Sequence, residues 1–320
     1  MIDQPGESGK KVGIVGAGMV GTSCAYALMQ RGVATEIVLI DSDSARAEGE
    51  AMDLNHGVPF VQPCRITAGD YTELAGAQIV VITAGSNQRP GETRLDLLQR
   101  NATVIRSIVP QIIAVAPDAV IVVATNPVDI LAHIASDCAG VQHGRVFGSG
   151  TILDTARLRY LLATRYAVDP RSVHAYIIGE HGDSSLPVWS LANIAGVNLH
   201  DFARVGGQGY DAQALQVIFE QARDAAYEII KRKRATYYAI GLGLVAIIEA
   251  VLRDQHTVLT VSSPMTGQQG ISDISISLPS IIGRNGVEEV LHLVLGDDEL
   301  SRFQHSAALL KERYRQIGVA

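Results

Sequence analysis

Cysteine is scarce in this 320-residue chain, and its distribution excludes two classes of protein. The three cysteines, Cys24, Cys64 and Cys138, are odd in number and far apart, with no C-x-x-C pair and no cluster of histidines. Neither a disulfide framework nor a metal site is therefore predicted. Residues 1–10 are polar and lack the apolar core of a signal peptide, so we interpret them as a flexible N-terminal tail of a reduced, cytoplasmic protein.

Basic charge and long apolar runs are also lacking. Lysine and arginine number 26 against 33 aspartates and glutamates, and the longest basic run is 231–234. A nucleic-acid surface needs more clustered positive charge than this. The most apolar window, 235–248, is shorter than the ~18 to 20 residues that cross a membrane. The sequence thus predicts neither a nucleic-acid partner nor a membrane span.

Apolar residues (47%) and glycine (31 residues) are abundant, as is typical of an α/β protein. In the first half, short β-branched runs alternate with segments of helical periodicity, at 12–15, 36–40, 79–82 and 119–123 for the strands and at 19–31, 94–115 and 128–138 for the helices. Continuously apolar strands are typical of a sheet that is buried on both faces. We predict a Rossmann-type, doubly wound parallel sheet, with ligands beyond the carboxyl ends of its strands.

From about Ser149 the pattern changes. A helix (153–166), a strand (173–178), a long helical stretch (211–253) interrupted near Arg234, two strands (258–261 and 274–278) and a final helix (297–317) follow without alternation. Because the chain exceeds the roughly 250 to 300 residues at which single cores stop growing, we expect two domains. They are a Rossmann domain over 11–148 and an α+β catalytic domain over 149–320.

A glycine motif joins the first predicted strand to the first helix. Gly16, Gly18 and Gly21 fit G-x-G-x-x-G. The first glycine permits the tight turn, the second lets the backbone approach a pyrophosphate, and the third lets helix pack on strand. The free N–H groups at the helix start, at Met19 and Val20, would face the phosphates.

Asp41 ends the next predicted strand, 20 positions after Gly21. A carboxylate at that place accepts hydrogen bonds from a ribose 2′-hydroxyl and repels a 2′-phosphate, so the sequence favours NAD over NADP. The alternative is a glycine-rich turn beside an ordinary surface aspartate.

Several segments together resemble a known family. They are Gly16 to Gly21, Asn87 to Arg94, Thr125 to Pro127, Leu153 to Arg157, Gly179 to Asp183 and Ala235 to Tyr238. Their order and spacing, from about Lys11 to the C-terminus, are similar to those of bacterial L-lactate dehydrogenases of the lactate/malate dehydrogenase family. The resemblance implies a homotetrameric NAD enzyme that interconverts pyruvate and lactate.

His181 is the best acid/base candidate, since it lies between glycine and acidic residues directly after a predicted buried strand. An imidazolium can protonate the alkoxide that forms when a ketone is reduced. The resemblance assigns this role to His181, with Asp154 bonded to the other ring nitrogen. The alternative is a loop histidine bonded to backbone.

Three further residues complete the predicted site. Arg157, three residues after Asp154, would make a two-pronged contact with the substrate carboxylate, or else a plain ion pair with Asp154. Arg94 would stabilise charge on the carbonyl oxygen as a mobile lid closes, or else be a solvated helix residue. Asn126 would hold the same oxygen and contact the cofactor, or else only form an Asn-Pro turn.

The substrate depends on position 88. Gln88 stands where the family's malate enzymes resemble one another in carrying arginine, and Thr236 lies in a motif that resembles lactate enzymes. Arg89 leaves a one-residue ambiguity in this alignment. Malate dehydrogenase activity on oxaloacetate, and a catalytically silent NAD-binding protein, stay as alternatives.

Arg159 and His174 raise a question of regulation. Arg159 turns about 200° away from Arg157 on a helix and cannot share its site. Arg159 and His174 resemble an arginine and a histidine of bacterial lactate dehydrogenases. The resemblance implies an anion site at a subunit interface, which would bind fructose 1,6-bisphosphate. The alternative is that Arg159 pairs with a neighbouring acid and His174 only ends a strand.

Overall fold

The computed structural model describes residues 9–86, 91, 93–202 and 209–317. Its first half alternates strands and helices in the order β1 (Lys11–Val15), α1 (Met19–Arg31), β2 (Glu36–Ile40), α2 (Ser44–Gly57), β3 (Arg65–Ala68), β4 (Ile79–Ile82), α3 (Arg94–Val115), β5 (Val120–Val123), α4 (Val128–Ala139) and β6 (Val146–Gly148). The six strands are parallel and lie in the order β3-β2-β1-β4-β5-β6. This is the predicted doubly wound sheet.

Alternate residues of each strand face two separate cores. On β4, Val80 and Ile82 belong to a core that contains residues of α3 and α4. Ile79 and Val81 belong to a second core that contains residues of α1 and α2. All four side chains are fully buried. Burial on both faces explains why these strands are apolar at every position rather than at every second one.

The second half combines long helices with antiparallel strands. Its helices are α5 (Ile152–Tyr166), α6 (Ala212–Lys233), α7 (Tyr238–Leu252) and α8 (Asp297–Gln316). Short strands β7 (Val173–His174), β8 (Ile177–Ile178), β9 (Leu186–Pro187), β10 (Asn193–Ile194) and β11 (Val197–Asn198) precede three longer ones, β12 (Thr257–Thr266), β13 (Ser272–Gly283) and β14 (Gly286–Val290). The α/β fold followed by an α+β half is thus confirmed.

One sheet runs through both halves. Strand β12 pairs with β6 through Ser262 and Gly148, and β13 and β14 extend the sheet beyond it. Thr151, at the start of α5, donates its N–H to Ser277 Oγ of β13 at 3.2 Å. The first residues of α5 are therefore fixed against the sheet beside the carboxyl end of β6.

Predicted boundaries agree best where helices are long. The predicted helices 19–31 and 94–115 are α1 and α3. The predicted strand 173–178 is wrong as one element, because β7 and β8 pair with different strands. Neither helix α2 nor strands β3, β6, β9, β10, β11 and β14 are predicted from the sequence. Helix α2 was missed because its buried stripe is narrow, consisting of Ala47, Ala51 and Leu54.

Two general features of the described part of the chain complete the fold. Its helices include none with the length and apolar character of a membrane span. Cys24 and Cys64 are buried and Cys138 is exposed, each as a free thiol.

Candidate active site

The glycine turn after β1 has three different steric environments. Gly16 has φ +112, in the left-handed region, and an added Cβ would lie 2.5 Å from Ala84 N. At Gly21 an added Cβ would lie 2.0 Å from Gly16 O, so only glycine lets α1 approach the turn this closely. Around Gly18 an added Cβ meets nothing within 4 Å. The backbone at Gly18 is therefore open to a ligand.

The start of α1 offers unpaired donors beside this opening. Gly18 is the N-cap and supplies no side-chain hydrogen bond to the first turn, which begins at Met19 and Val20. Free N–H groups and the positive end of the helix dipole suit a phosphate group. The turn thus fits the pyrophosphate of a dinucleotide.

Asp41 lies at the carboxyl end of β2, next to the same turn. Its Oδ2 accepts a hydrogen bond from Ala17 N at 2.7 Å, and its Oδ1 accepts one from Asp43 N at 3.0 Å. The carboxylate is held beside the glycine turn, where a ribose would follow the pyrophosphate. This placement fits NAD, whose 2′-hydroxyl can donate to a carboxylate.

A cavity of about 520 Å³ opens at the carboxyl ends of the strands and collects the predicted catalytic residues. Five of the residues expected from the sequence line it: Arg94, Asn126, Asp154, Arg157 and His181. They come from α3, from the turn after β5, from α5 and from the segment after β8. The topology therefore brings together residues that are up to 87 positions apart, the difference between 94 and 181.

His181 is fixed from three sides. The preceding Gly179 forms a bridge with Ser277 of β13, which holds the chain to the central sheet. The ring Nδ1 lies 2.5 Å from Asp154 Oδ2, and the backbone N–H donates to Asp129 Oδ2 at 2.7 Å. Since Nδ1 is engaged with Asp154, Nε2 is the ring nitrogen left for a substrate.

These contacts favour the protonated imidazole. Burial by itself lowers the pKa of His181, but the charge and the hydrogen bond of Asp154, with a smaller contribution from Asp129, outweigh burial and raise that pKa to about 9. In the same pair burial acts to raise the pKa of Asp154, and the charges of His181 and Arg157 bring it below its ordinary value. The pair therefore has the properties that a proton donor with a fixed negative partner requires.

Asp154 is shared between two cations. Its Oδ1 accepts a hydrogen bond from Arg157 Nη1 at 3.0 Å, while its Oδ2 faces His181. The side chains of Asp154 and Arg157 are 7% and 12% exposed. The two interpretations of Arg157 are therefore compatible, because one Nη1 hydrogen bond leaves further guanidinium donors beside the cavity.

Arg94 lies at the rim. It is the first residue of α3, its side chain is 76% exposed, and its Nη1 is 3.5 Å from Asp183 Oδ2. The Tyr227 hydroxyl of α6 donates to the other oxygen of Asp183 at 3.1 Å. In this conformation the guanidinium is paired with the segment that carries His181.

The other residues that the sequence predicts to contact the substrate lie in different places. Asn126 follows β5, and its carbonyl oxygen accepts a hydrogen bond from Asn101 Nδ2 at 3.0 Å. Thr236 is partly exposed in the turn between α6 and α7 and is absent from the described lining of the cavity. Gln88 and Arg89 lie outside the described residues.

Sequence reasoning assigned no role to several charged residues at this site, one of which is Arg223 of α6 in the cavity lining. Asp129 is 2% exposed on α4, and burial raises its pKa to about 6. Glu180 and Arg313 line the cavity and form an ion pair. Two signals were available in the sequence. Glu180 lies directly before His181 in a segment that carries the family resemblance, and Asp129 lies on a helix that the sequence predicts as apolar.

Arg159 lies on the opposite side of α5 from Arg157, as its helical angle requires. It lines a separate cavity of about 430 Å³. Its Nε donates to Ala175 O at 3.0 Å, and its guanidinium stacks 5.1 Å from the Tyr176 ring centre. Arg159 is thus bonded to a carbonyl oxygen and an aromatic ring rather than to the acid of the alternative interpretation, while His174 next to Ala175 is exposed.

One group of potential metal ligands lies elsewhere in the described residues. Asp254, His256 and Glu288 offer ligand atoms within 4.8 Å of one another. They already bind each other and Arg284, with His256 Nε2 at 3.0 Å from Glu288 Oε2 and Arg284 Nε at 2.8 Å from Asp254 Oδ2. We assign no metal to this group.

Comparison with known proteins identifies the class that this fold and site define. The lactate/malate dehydrogenase NAD binding domain matches residues 10–148, and the lactate/malate dehydrogenase alpha/beta C-terminal domain matches residues 151–318. The chain therefore belongs to the lactate/malate dehydrogenase family.

Individual relatives within the family carry a narrower name. The L-lactate dehydrogenase of Priestia megaterium is 52% identical over 303 residues, which is 95% of either chain. The solved minor L-lactate dehydrogenase of Enterococcus mundtii is 42% identical with a TM-score of 0.94, over 98% of this chain and 100% of that one. A lactate dehydrogenase from a deep-sea metagenome library is 43% identical with the same TM-score, over 97% of this chain and 99% of that one.

Proposed function

We propose that this protein is an NAD-dependent L-lactate dehydrogenase, an oxidoreductase that interconverts pyruvate and L-lactate. The relatives named above carry that activity in their names. The observation that carries the proposal is the shared carboxylate of Asp154, which bonds His181 through one oxygen and Arg157 through the other. A proton donor and a carboxylate-binding cation are thereby held side by side in one cavity.

The reaction divides among the residues of the cavity. NADH, when bound at the glycine turn and Asp41, supplies the hydride. His181 donates a proton from Nε2 to the oxygen of the substrate carbonyl, and Asp154 stabilises the imidazolium before that transfer. Arg157 binds the substrate carboxylate with its remaining donors, a planar geometry that lysine lacks.

Two further groups act on the carbonyl oxygen. Arg94 leaves Asp183 and places its guanidinium near the oxygen, where it stabilises the negative charge that develops. Asn126 donates a side-chain hydrogen bond to the same oxygen and borders the cofactor. The exposure of Arg94 supports this movement, because its ion pair with Asp183 is long and solvated.

The substrate is tested by assaying NADH oxidation with pyruvate and with oxaloacetate in parallel. Pyruvate reduction in excess supports lactate dehydrogenase, oxaloacetate reduction in excess supports malate dehydrogenase, and NADH binding without turnover supports a silent NAD-binding protein. We further propose that Gln88 and Thr236 select pyruvate, so Gln88→Arg raises the relative rate with oxaloacetate.

We also propose a domain division and a cellular setting. Residues 11–148 bind NAD and residues 149–320 bind the substrate and carry the acid/base pair. The enzyme works in the cytoplasm, in glycolysis and fermentation, where pyruvate and NADH are both present.

A homotetramer is the assembly that we propose. The large apolar side chains of Met19 and Tyr26 on α1, and of Tyr238 and Leu242 on α7, are each at least 50% exposed, and the two helices pack together. Such a surface supports association with another copy. Light scattering tests this. We expect the mass of four chains for the unmutated protein and a lower mass for Leu242→Glu, and the mass of a single chain for the unmutated protein would contradict the homotetramer.

Fructose 1,6-bisphosphate is the effector that we propose for Arg159 and His174. Its phosphates would pair with these residues and favour the assembly that binds pyruvate tightly. Pyruvate titrations should show a lower half-saturation with the bisphosphate, and Arg159→Gln should abolish the difference. Identical curves for the unmutated enzyme would leave both residues structural.

A further inference from the structure

The last helix carries a polar stripe that faces the catalytic segment. Glu299, Ser306 and Arg313 are spaced by seven residues along α8. Seven residues turn about 700°, only about 20° short of two full turns, so the three side chains share one face. Glu299 and Ser306 are buried, and the side chain of Arg313 is partly exposed. A polar stripe on a buried helix face requires partners on the element that it contacts.

All three residues of this stripe have partners between Glu180 and Ser190. At the start of α8, Glu299 Oε1 accepts the Ser190 N–H at 3.0 Å. In the middle, Ser306 Oγ accepts the Glu180 N–H at 2.9 Å and lies 2.9 Å from Ser184 Oγ. Near the end, Arg313 Nη1 pairs with Glu180 Oε1. Helix α8 is thus bonded along its length to the chain that begins next to His181.

Glu180 is the centre of this network. Its side chain is 7% exposed, and its second oxygen, Oε2, accepts the Ser184 hydroxyl at 2.5 Å. Burying a carboxylate without a cation costs free energy, so Glu180 needs the positive charge of Arg313 beside it. Glu180, His181 and Arg313 line the same cavity, so this ion pair shares the electrostatic environment of the proton donor.

We propose that Arg313 is a positioning residue for His181, which it serves by neutralising Glu180 and holding the catalytic segment against α8. The proposal rests on the acid/base role of His181 given above. A residue that only stabilised the fold would leave the titration of His181 unchanged, whereas removal of either charge of the pair leaves the other unbalanced beside the proton donor.

Other charged or titratable groups also surround His181. They are Asp154 and Arg157 of α5, Asp129 of α4, Arg94 of α3, and Arg223 and Tyr227 of α6. On its own segment, Asp183 is occupied by Arg94 and Tyr227. The variants below leave all of these in place, so a change in titration reports the Glu180–Arg313 pair.

The experiment measures pyruvate reduction against pH in Arg313→Met, Glu180→Gln and the double variant. In Arg313→Met the negative charge of Glu180 is unbalanced and favours the imidazolium of His181. The falling limb, which is the decrease of kcat/KM as pH rises through the pKa of His181, should therefore move to higher pH by about half a unit or more. Glu180→Gln leaves Arg313 unbalanced and should move the limb to lower pH. The double variant should return it towards that of the unmutated enzyme. We expect kcat to fall about tenfold in Arg313→Met with KM nearly unchanged.

Two companion variants keep the result decisive. Arg313→Lys retains the positive charge, so its falling limb should lie at the pH of the unmutated enzyme. This variant tests the proposal even if Arg313→Met does not fold. Arg315→Met removes an exposed arginine two residues further along α8 and should change neither kcat nor the limb. The proposal is overturned if the falling limb stays in place in both Arg313→Met and Glu180→Gln. It is also overturned if the limb moves in the same direction in these two variants. A rise in KM alone would instead make Arg313 a substrate contact and also overturn it.

A failure of this proposal is distinguishable from a failure of the proposed function. If His181→Asn keeps most of its activity, His181 is not the proton donor and both fall. If His181→Asn is inactive while the Arg313 and Glu180 variants keep the unmutated limb, only the positioning role falls.

Discussion

Two cavities lie at opposite ends of the same sheet, and the larger is the one without the proposed catalytic residues. The cavity at the amino ends of the strands is about 610 Å³ and is lined by Arg145 and Arg284 among others. Arg284 is 70% exposed and paired with Asp254, and Arg145 donates to the carbonyl oxygen of Asp118. These two arginines are thus bonded to neighbouring surface groups rather than to one another.

The cavity at the carboxyl ends holds charges of a different kind. Asp154, Arg157 and Glu180 are nearly buried there, and each charge has a partner that also borders the cavity. Burying ions is costly unless they are paired, so such a cluster is retained where chemistry uses it. Burial and convergence of charges, rather than volume, thus distinguish the end of the sheet that holds the proposed catalytic residues.

The largest effect should come from His181→Asn. Removing the proton donor should lower kcat for pyruvate reduction by about a thousandfold, in the range that general acid catalysis contributes. NADH binding, followed by its fluorescence, should remain, because the glycine turn and Asp41 are untouched. If the variant kept most of the activity, His181 would not be the proton donor, and the carboxyl-end cavity would no longer differ from the amino-end cavity by containing it.

Arg157→Lys should have the second largest effect. The change keeps the charge but loses the planar pair of donors, each charged hydrogen bond being worth roughly 1.5 to 3 kcal/mol. We expect kcat/KM for pyruvate to fall by about a hundredfold, measured in initial rates at low pyruvate. A change within a few fold would mean that the substrate carboxylate binds elsewhere.

Asp154→Asn should move the pH profile. With the carboxylate present the pKa of His181 is about 9, so pyruvate reduction should be insensitive to pH below that value and fall as pH rises through it. Without the carboxylate, burial is opposed only by weaker charges, so the falling limb should move down by more than about one unit. At pH 9, where about half of His181 is protonated in the unmutated enzyme, the loss should be about fivefold or more. An unmoved limb would exclude Asp154 as the cause of the raised pKa.

Arg284→Met provides the control at the other end of the sheet. Its exposed pair with Asp254 should contribute less than about 1 kcal/mol to the free energy of unfolding. We expect kcat, KM and the pH profile of pyruvate reduction to remain unchanged. A loss of activity comparable to that of Arg157→Lys would show that the amino-end cavity takes part in the function.

The sequence predicts those features of the fold that depend on residues near one another in the chain. The parallel strands are recognisable because burial on both faces makes them apolar throughout, and the interruption near Arg234 is a backbone feature. Arg234 has φ 71 at the end of α6, a left-handed conformation that costs a residue other than glycine about 1 kcal/mol or more. The helical stretch 211–253 therefore divides into α6 and α7 at that residue.

Contacts made across the fold are not predictable in this way. His181 and Asp154 are 27 residues apart, and only a resemblance to a family suggested their pairing before the structure. Asp129 and Arg313 contact the same segment from 52 and 133 residues away. Such pairs depend on how helices pack after the sheet has formed, and no spacing in the sequence encodes them.

The pairing of β12 with β6 has a mechanical consequence. Gly148 and Ser262 are buried at the junction, so a hinge between the two halves would have to break backbone hydrogen bonds away from water. The rim of the cavity lies outside this seam, and α3, α6 and α8 each contribute residues to it. We therefore expect the cavity to open by movements of these helices while the sheet beneath them stays fixed.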